Sequence, residues 1–433
     1  MLIRFSVENF RSFKDRQTIY LNAVKTCKEW LDENTIVDAD VRTVSSAVVY
    51  GANASGKTNL FIAMLRMKTF MLSSVDIDKN QNFLIGEPFM LNNGTIDAPE
   101  TFELEFTVYG KHFIYGFSLQ MKSTAPDNYE IVKEWLFEVV KKKLQPCFVR
   151  EKRLSEDGAS VNVIDVDEKR MPQGKGLEQR TRPDVLFFTV AAQFAEPTCQ
   201  MISEYIRLSL KVISAVNRQG LPEFSKTKLL VDADMAARIK KLIADADTGI
   251  KDLAVVDKGL MMSFHDQYDD AGVVVGRMNF VFNFAESQGT QKLFDLSGTL
   301  IDALHNGRVL VIDELDAQLH PLLVRHLIEL FNNPKTNPKK AQLIFNAQSP
   351  DLLGYKAYSD IKGKKIARLR RDQIYFVEKD NMEASKVFSL IEFKKGEGGR
   401  TRNDASYDKD YLSGVYGGIP FPKEMVAEVS GNG

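Results

Sequence analysis

Gly51-Ala52-Asn53-Ala54-Ser55-Gly56-Lys57-Thr58 joins two glycines, a lysine and a hydroxyl at the G-x-x-x-x-G-K-[ST] spacing, which suits the wrapping of main-chain N–H groups around a polyphosphate. Ser46–Tyr50 before it reads as a short buried strand, and Leu60, Ile62, Ala63, Met64, Leu65 and Met67 after it form an apolar helical stripe. Loop amides and helix N-terminus therefore converge on one anion. Lys57 is placed to reach β- and γ-phosphates and Thr58 to ligate Mg²⁺. A second group lies far downstream. Arg308-Val309-Leu310-Val311-Ile312 reads as a buried strand ending in Asp313 and Glu314, where Asp313 can hold a Mg²⁺ shell through water and Glu314 can poise an attacking water as general base. The pair of motifs implies hydrolysis of a nucleoside triphosphate. Before that strand, Ser287-Gln288-Gly289 opens a helix expected over about 291–304, offering a hydroxyl and free N–H groups suited to a γ-phosphate.

The elements that must position these residues begin with Leu2–Val7, an alternating strand, followed by Asn9-Phe10-Arg11-Ser12-Phe13 and a second strand near 17–21. Residues 101–108 and 112–119 alternate around Gly110-Lys111 and read as an antiparallel hairpin, with further β-rich sequence to about 165. The charged stretch 166–184 reads as a loop, Asp184–Val190 as a strand leading through Ala191-Ala192-Gln193, and 197–217 and 235–247 as helices. No heptad pattern is sustained between 60 and 280, which excludes long coiled-coil arms and leaves a compact lid.

Composition bounds the function classes. With 433 residues, 44% apolar and 27% charged, the chain can bury a large core, and a net charge of −1 gives no bulk attraction to nucleic acid or membrane. Cys27, Cys147 and Cys199 are scattered and lack metal-ligand spacing, which points to a reducing compartment, with the cytoplasm as the expectation. No apolar run reaches membrane-spanning length.

In this order the motifs resemble an ABC-type ATPase head of the SMC, RecF and OLD branch. Gly51 to Thr58 matches its phosphate loop, Ser287-Gln288-Gly289 its Ser-x-Gly signature, Asp313-Glu314 its second nucleotide motif, and Leu315–Pro321 its D-loop. The tail segments Arg371–Lys379 and Tyr411–Pro420 resemble the RloA-like and abortive-infection bacterial ATPases. The resemblance implies an α/β head, a mixed sheet with flanking helices plus an antiparallel β subdomain and a helical lid. It divides the chain into 1–80 with the phosphate loop, a β-rich 81–185, a lid at 186–275 and a C-terminal half-head at 276–433. It adds Arg11, Ser287 and Gly289 to the nucleotide contacts of Gly51, Ala52, Asn53, Ala54, Ser55, Gly56, Lys57, Thr58 and Asn59. It also adds Gln193, as a Q-loop glutamine, to the metal ligands Thr58 and Asp313, and places Gln348 beside Glu314 as catalytic, where relatives carry a switch histidine. The implied cofactors are ATP and Mg²⁺. The implied state is an ATP-sandwich homodimer, open to higher assembly, serving as sensor or scaffold for a nuclease or toxin partner in anti-phage defence, with a phage protein or DNA as trigger and no membrane.

Two other classes remain open at this stage. A nuclease of OLD type needs a Toprim unit of roughly a hundred residues, whereas 83 residues follow Pro350, with Asp408-Lys409-Asp410 the one Asp-x-Asp among them. A RecF-like DNA-binding repair ATPase would use the one dense basic run, Lys362, Lys364, Lys365, Arg368, Arg370 and Arg371.

Overall fold

A computed structural model describes residues 1–76, 86–122, 129–154, 160–214, 218–246, 248–256, 259–354, 369–395, 399–400 and 406–419. In chain order the strands and helices begin β1 (Leu2–Glu8), β2 (Gln17–Tyr20), β3 (Thr35–Asp38), β4 (Val41–Val44), β5 (Ser46–Gly51), α1 (Lys57–Ser73) and α2 (Asn93–Ile96). They continue as β6 (Glu100–Val108), β7 (Lys111–Met121), β8 (Tyr129–Val140), β9 (Lys143–Leu154), β10 (Ser160–Val166), α3 (Phe187–Gln193), α4 (Pro197–Ser209) and β11 (Leu210–Ile213). Next come α5 (Leu221–Val231), α6 (Ala233–Asp245), β12 (Asp252–Val256), β13 (Leu260–Tyr268), β14 (Val274–Val281), α7 (Phe282–Ala285), α8 (Gln288–Asn306) and β15 (Val309–Ile312). The last are α9 (Pro321–Asn332), β16 (Gln342–Asn346), β17 (Ile374–Lys379), β18 (Ser385–Ser389) and α10 (Tyr407–Leu412), besides two-residue strands at 394–395 and 399–400.

The site hangs on a six-stranded sheet in the order β11-β15-β16-β5-β17-β18, parallel except for β18. Every residue of β5, β15 and β16 is buried, as a parallel sheet covered on both faces requires. Side chains alternate between two cores. Ala47, Val49, Val309, Val311 and Val377 face α1 and the large antiparallel sheet, whereas Val48, Tyr50, Leu310, Ile312 and Phe376 face α8, α9 and α10. Burying a large aliphatic side chain is worth about 1.5–3 kcal/mol, so each strand is fixed from both sides and its C-terminal end is held in place.

The second sheet is antiparallel and seven-stranded, in the order β10-β9-β8-β7-β6-β1-β2. The hairpin at 101–119 is its β6–β7 pair, with Glu100 opposite Leu119 and Val108 opposite Lys111. Strands β1 and β2 belong to this sheet and β5 to the other, so residues 1–80 are shared between both. Likewise β11, from within 186–275, is the edge strand of the parallel sheet, while β12, β13 and β14 form a small sheet of their own.

Two expected elements differ. Asp184–Val190 is not a strand: it turns into α3, whose first N–H groups, on Phe187 and Phe188, donate to the buried Glu134 carboxylate at 2.7 and 2.9 Å. A helix N-terminus favours such an anion, and a continuous apolar run carries no period to distinguish helix from strand. The helix expected over 197–217 ends at Ser209, because Leu210, Val212 and Ile213 pair in parallel with β15. Sheet pairing overrides local propensity there. Residues 215–217 lie outside the described set, as do Lys362, Lys364, Lys365 and Arg368 of the basic run.

Candidate nucleotide-binding and hydrolysis site

β5 ends at Gly51 and α1 begins at Lys57, so the intervening loop sits at the C-terminal edge of the parallel sheet. Gly51 is required by close approach: a Cβ there would lie 2.4 Å from the Val377 carbonyl oxygen. Gly56 caps α1 at φ 110°, and a Cβ there would strike Ser385 Oγ at 2.4 Å and Ser12 Oγ at 2.7 Å. Those two serines brace the loop from behind. Ser385 Oγ donates to the Ser55 carbonyl at 2.6 Å, Ser385 N–H donates to the Ser12 carbonyl at 2.7 Å, and Asn59 Nδ2 donates to Ser12 Oγ at 2.9 Å. The tail adds a further brace, since Tyr411 packs on Tyr50 and Phe376 and its hydroxyl donates to the Gly418 carbonyl at 3.2 Å.

A cavity of about 380 Å³ opens on this loop, lined by Asn53–Asn59, Glu314, Asn346 and Gln348. Lys57 is buried, and its Nζ donates to the Gly51 and Ala52 carbonyls at 2.5 and 2.9 Å. Burial lowers the Lys57 pKa against the opposing pull of Asp313, Asp316 and Glu314. Thr58 Oγ1 donates to Asp313 Oδ1 at 3.2 Å, which unites the loop with the end of β15. Burial raises the Asp313 pKa, and the hydrogen bonds from Asn346 and Thr58 work against it.

The sequence reading missed Asn346. At the end of β16, its Nδ2 donates to Asp313 Oδ1 while its Oδ1 accepts the N–H of Glu314, so one amide fixes both acids. Glu314 stands at φ 54°, a left-handed conformation, and the Asn346 acceptor is what orients its N–H. The sole sequence signal is a polar residue closing an apolar strand. Asp316 was passed over as well: its carboxylate accepts the N–H groups of Gln348 at 2.7 Å and Ser349 at 2.8 Å, setting the turn that carries Gln348 to the cavity. Two cations outside the motifs, Arg218 and Lys292, hold the back of the same strand end. Lys292 Nζ donates to the carbonyls of Glu314, Leu315 and Ala317 at 2.7, 3.3 and 2.6 Å, and burial brings its pKa down to about 8.

The remaining expected residues lie elsewhere. Arg11 is engaged through Nε by Glu87 at 2.6 Å and reaches Asn59 Oδ1 at 3.4 Å, beside the loop but outside its cavity lining. Gln193 is exposed at the end of α3, also outside that lining. Ser287 caps α8 by accepting the Thr290 N–H at 3.2 Å, and a Cβ on Gly289 would come 2.6 Å from the Gln318 carbonyl oxygen. Gly289 borders the D-loop of its own chain, and neither residue takes part in the loop cavity.

The donor set fits Mg²⁺ with a nucleotide. Thr58 and Asp313 are hard oxygen ligands already in contact, Ser55 Oγ is buried at the loop with no partner, and no cluster of three or more His, Cys, Asp or Glu side chains able to hold a metal occurs among the described residues. Mg²⁺ takes few protein oxygens and completes its shell with water and phosphate. The fold is α/β, a six-stranded, mostly parallel sheet beside a seven-stranded antiparallel one with flanking helices. Phosphate loop, acidic strand end and switch turn stand side by side on one sheet edge, and Gly289 of the Ser-x-Gly cap packs against Gln318 of the D-loop.

Residues 239–354 match a family model described as "AAA domain, putative AbiEii toxin, Type IV TA system". No curated protein matches the chain. Among solved structures, one titled as the SmcHead bound to the C-winged helix domain of ScpA is 13% identical with a TM-score of 0.42, covering 90% of this chain and 97% of its own. The SMC head domain from Thermotoga maritima is also 13% identical, with a TM-score of 0.40, covering 90% of this chain and 98% of its own. Among the described residues, no helix is long and apolar enough to cross a membrane, and Cys27, Cys147 and Cys199 are free and buried.

Proposed function

We propose that the protein binds and hydrolyses ATP as a two-chain switch and serves as sensor or scaffold for a nuclease or toxin partner in bacterial anti-phage defence. The observation that supports the chemistry best is the chain of contacts Thr58–Asp313–Asn346–Glu314 running along the wall of the loop cavity. The loop amides and the N-terminus of α1 bind the phosphates, and Lys57 turns its ammonium from the Gly51 and Ala52 carbonyls to them. Thr58 and Asp313 hold Mg²⁺, which when bound supplies positive charge to the phosphate oxygens. Glu314 accepts a proton from the attacking water, and Gln348, a neutral amide, orients that water or donates to a phosphate oxygen. As the resemblance of the Ser-x-Gly motif implies, the Ser287 hydroxyl serves the nucleotide held by a second copy at a twofold interface, and Ser287 takes no part in its own chain's cavity lining.

The reading of the role is supported by the match of 239–354 to the AbiEii-type description. Purified protein with MgATP tests the chemistry: turnover lost in both Lys57→Ala and Glu314→Gln is expected, and turnover retained in either contradicts it. Co-purification with its genomic neighbours tests the role. A nuclease or toxin retained on the ATP-bound protein is expected, and a DNA duplex retained in its place would favour the repair reading. That second reading has lost part of its ground, because Arg370 is fully buried against Asp372 and Arg371 is paired with Glu29 at 2.8 Å.

A further inference from the structure

We propose that Arg218 is a positioning residue that draws the Glu314 carboxylate away from the nucleotide loop and releases it when the helix carrying Ser287 shifts. The proposal rests on the reading of Glu314 as general base. One guanidinium nitrogen of Arg218 donates both to the Asp313 carbonyl at 2.6 Å and to Glu314 Oε2 at 3.3 Å. Arg218 does not line the loop cavity. It lines a separate cavity of about 260 Å³ on the other side of the strand end, with Gln288, Gln291, Lys292 and Gln318. The pull on Glu314, which lines the loop cavity, is therefore toward the second cavity.

The main chain of Glu314 cannot compensate, since its N–H is held by Asn346 and its carbonyl by Lys292. What remains free to turn is the side chain. With Arg218 35% and Glu314 42% exposed, the ion pair is weak enough to be broken in each catalytic cycle.

The release is built into the packing of α5 on α8. Arg218 lies directly before α5, and α5 is joined to α8 by Ser225, which is fully buried. Ser225 Oγ donates to the Asp295 carbonyl at 3.0 Å and accepts the Gly298 N–H at 3.1 Å. Gly298 permits that closeness, since a Cβ there would lie 2.8 Å from Ser225 Oγ. A displacement of α8, which starts at the Ser287 cap, thus pulls on Arg218 through Ser225 while Lys292, also on α8, keeps hold of the Glu314 main chain, and the exposed Arg218–Glu314 pair is the contact that yields. Engagement of Ser287 by a nucleotide on a second copy would then free Glu314 only in the assembled state, and hydrolysis by the single chain stays low.

Steady-state ATP hydrolysis by the full chain tests this in the parent, Arg218→Gln, Arg218→Lys, Glu314→Gln and the double variant Arg218→Gln with Glu314→Gln. Glutamine keeps a donor for the Asp313 carbonyl and removes the charge. At low protein concentration, Arg218→Gln is expected to raise kcat about two- to fivefold with KM unchanged, the range that an exposed ion pair supports. Arg218→Lys should return the rate toward the parent value, and the double variant should be as inactive as Glu314→Gln alone. A fall in kcat for Arg218→Gln, or a gain that survives in the double variant, overturns the proposal while leaving Glu314 as base. Parental turnover in Glu314→Gln overturns the reading of the base, and the proposal with it.

Discussion

Asn346 offers a sharp test of how the acids are held. Replacing it with leucine keeps the approximate volume and removes both polar contacts, the donor to Asp313 and the acceptor for the Glu314 N–H. A hydrogen bond to a charged group contributes about 1.5–3 kcal/mol and a neutral one about 0.5–1.5 kcal/mol, so the loss in stability should be about 2–4 kcal/mol. The same loss of orientation acts on turnover, where each 1.36 kcal/mol is roughly tenfold, and kcat should fall about ten- to a hundredfold. Asn346→Asp separates the two contacts: it keeps an acceptor for Glu314 and places a second carboxylate against Asp313, at a cost of about 4 kcal/mol for unit charges 4 Å apart at an effective dielectric of 20. Urea unfolding, read with kcat and KM on the same preparations, gives both quantities. If Asn346→Leu stayed within twofold of the parent in kcat and within 0.5 kcal/mol in stability, the bridging role drawn here would be wrong.

Lys57→Ala should abolish nucleotide binding, measured by calorimetry, with no loss in thermal midpoint, because burial already disfavours the lysine charge; a large drop in midpoint would make it a structural residue. Gln348→His should raise steady-state turnover by supplying a titratable group beside Glu314, and an equal or lower rate would show that the neutral amide does not limit hydrolysis. Asp316→Ala should lower kcat by releasing the turn at Gln348 and Ser349, with nucleotide affinity unchanged; loss of binding with unchanged kcat would contradict this. Asp313 yields a stability test with a defined sign. Its folded-state pKa is raised, so the folded protein holds a proton that the unfolded chain releases, and this group's contribution falls as pH rises from the unfolded value through the folded one. Without Mg²⁺, Asp313→Asn should therefore match or exceed the parent's stability at pH 7, and clear destabilisation would show that the buried charge is compensated.

The nucleotide loop was legible because its chemistry is contiguous: eight residues, a strand before and a helix after, and no distant partner needed to recognise them. Asp313 and Glu314 were legible for the same reason. What the sequence hid are contacts across long separations. Asn346 meets Glu314 from 32 residues away and Arg218 meets Glu314 from 96 residues away on the other side, and neither residue type signals such a role. The misread helix at 187–193 has a similar cause, since its N-terminal anion, Glu134, comes from a strand in the other sheet. Local pattern sets local structure only where no remote group outweighs it.

The central claim is that ATP closes two chains together and Glu314 reopens them by hydrolysis. Light scattering of Glu314→Gln with MgATP, alongside the same protein carrying Ser287→Arg, tests it most directly. A stable two-chain species with two bound nucleotides is expected in the first, and single chains with bound ATP in the second. A single-chain Glu314→Gln protein saturated with ATP, or a two-chain species indifferent to Ser287→Arg, would contradict it.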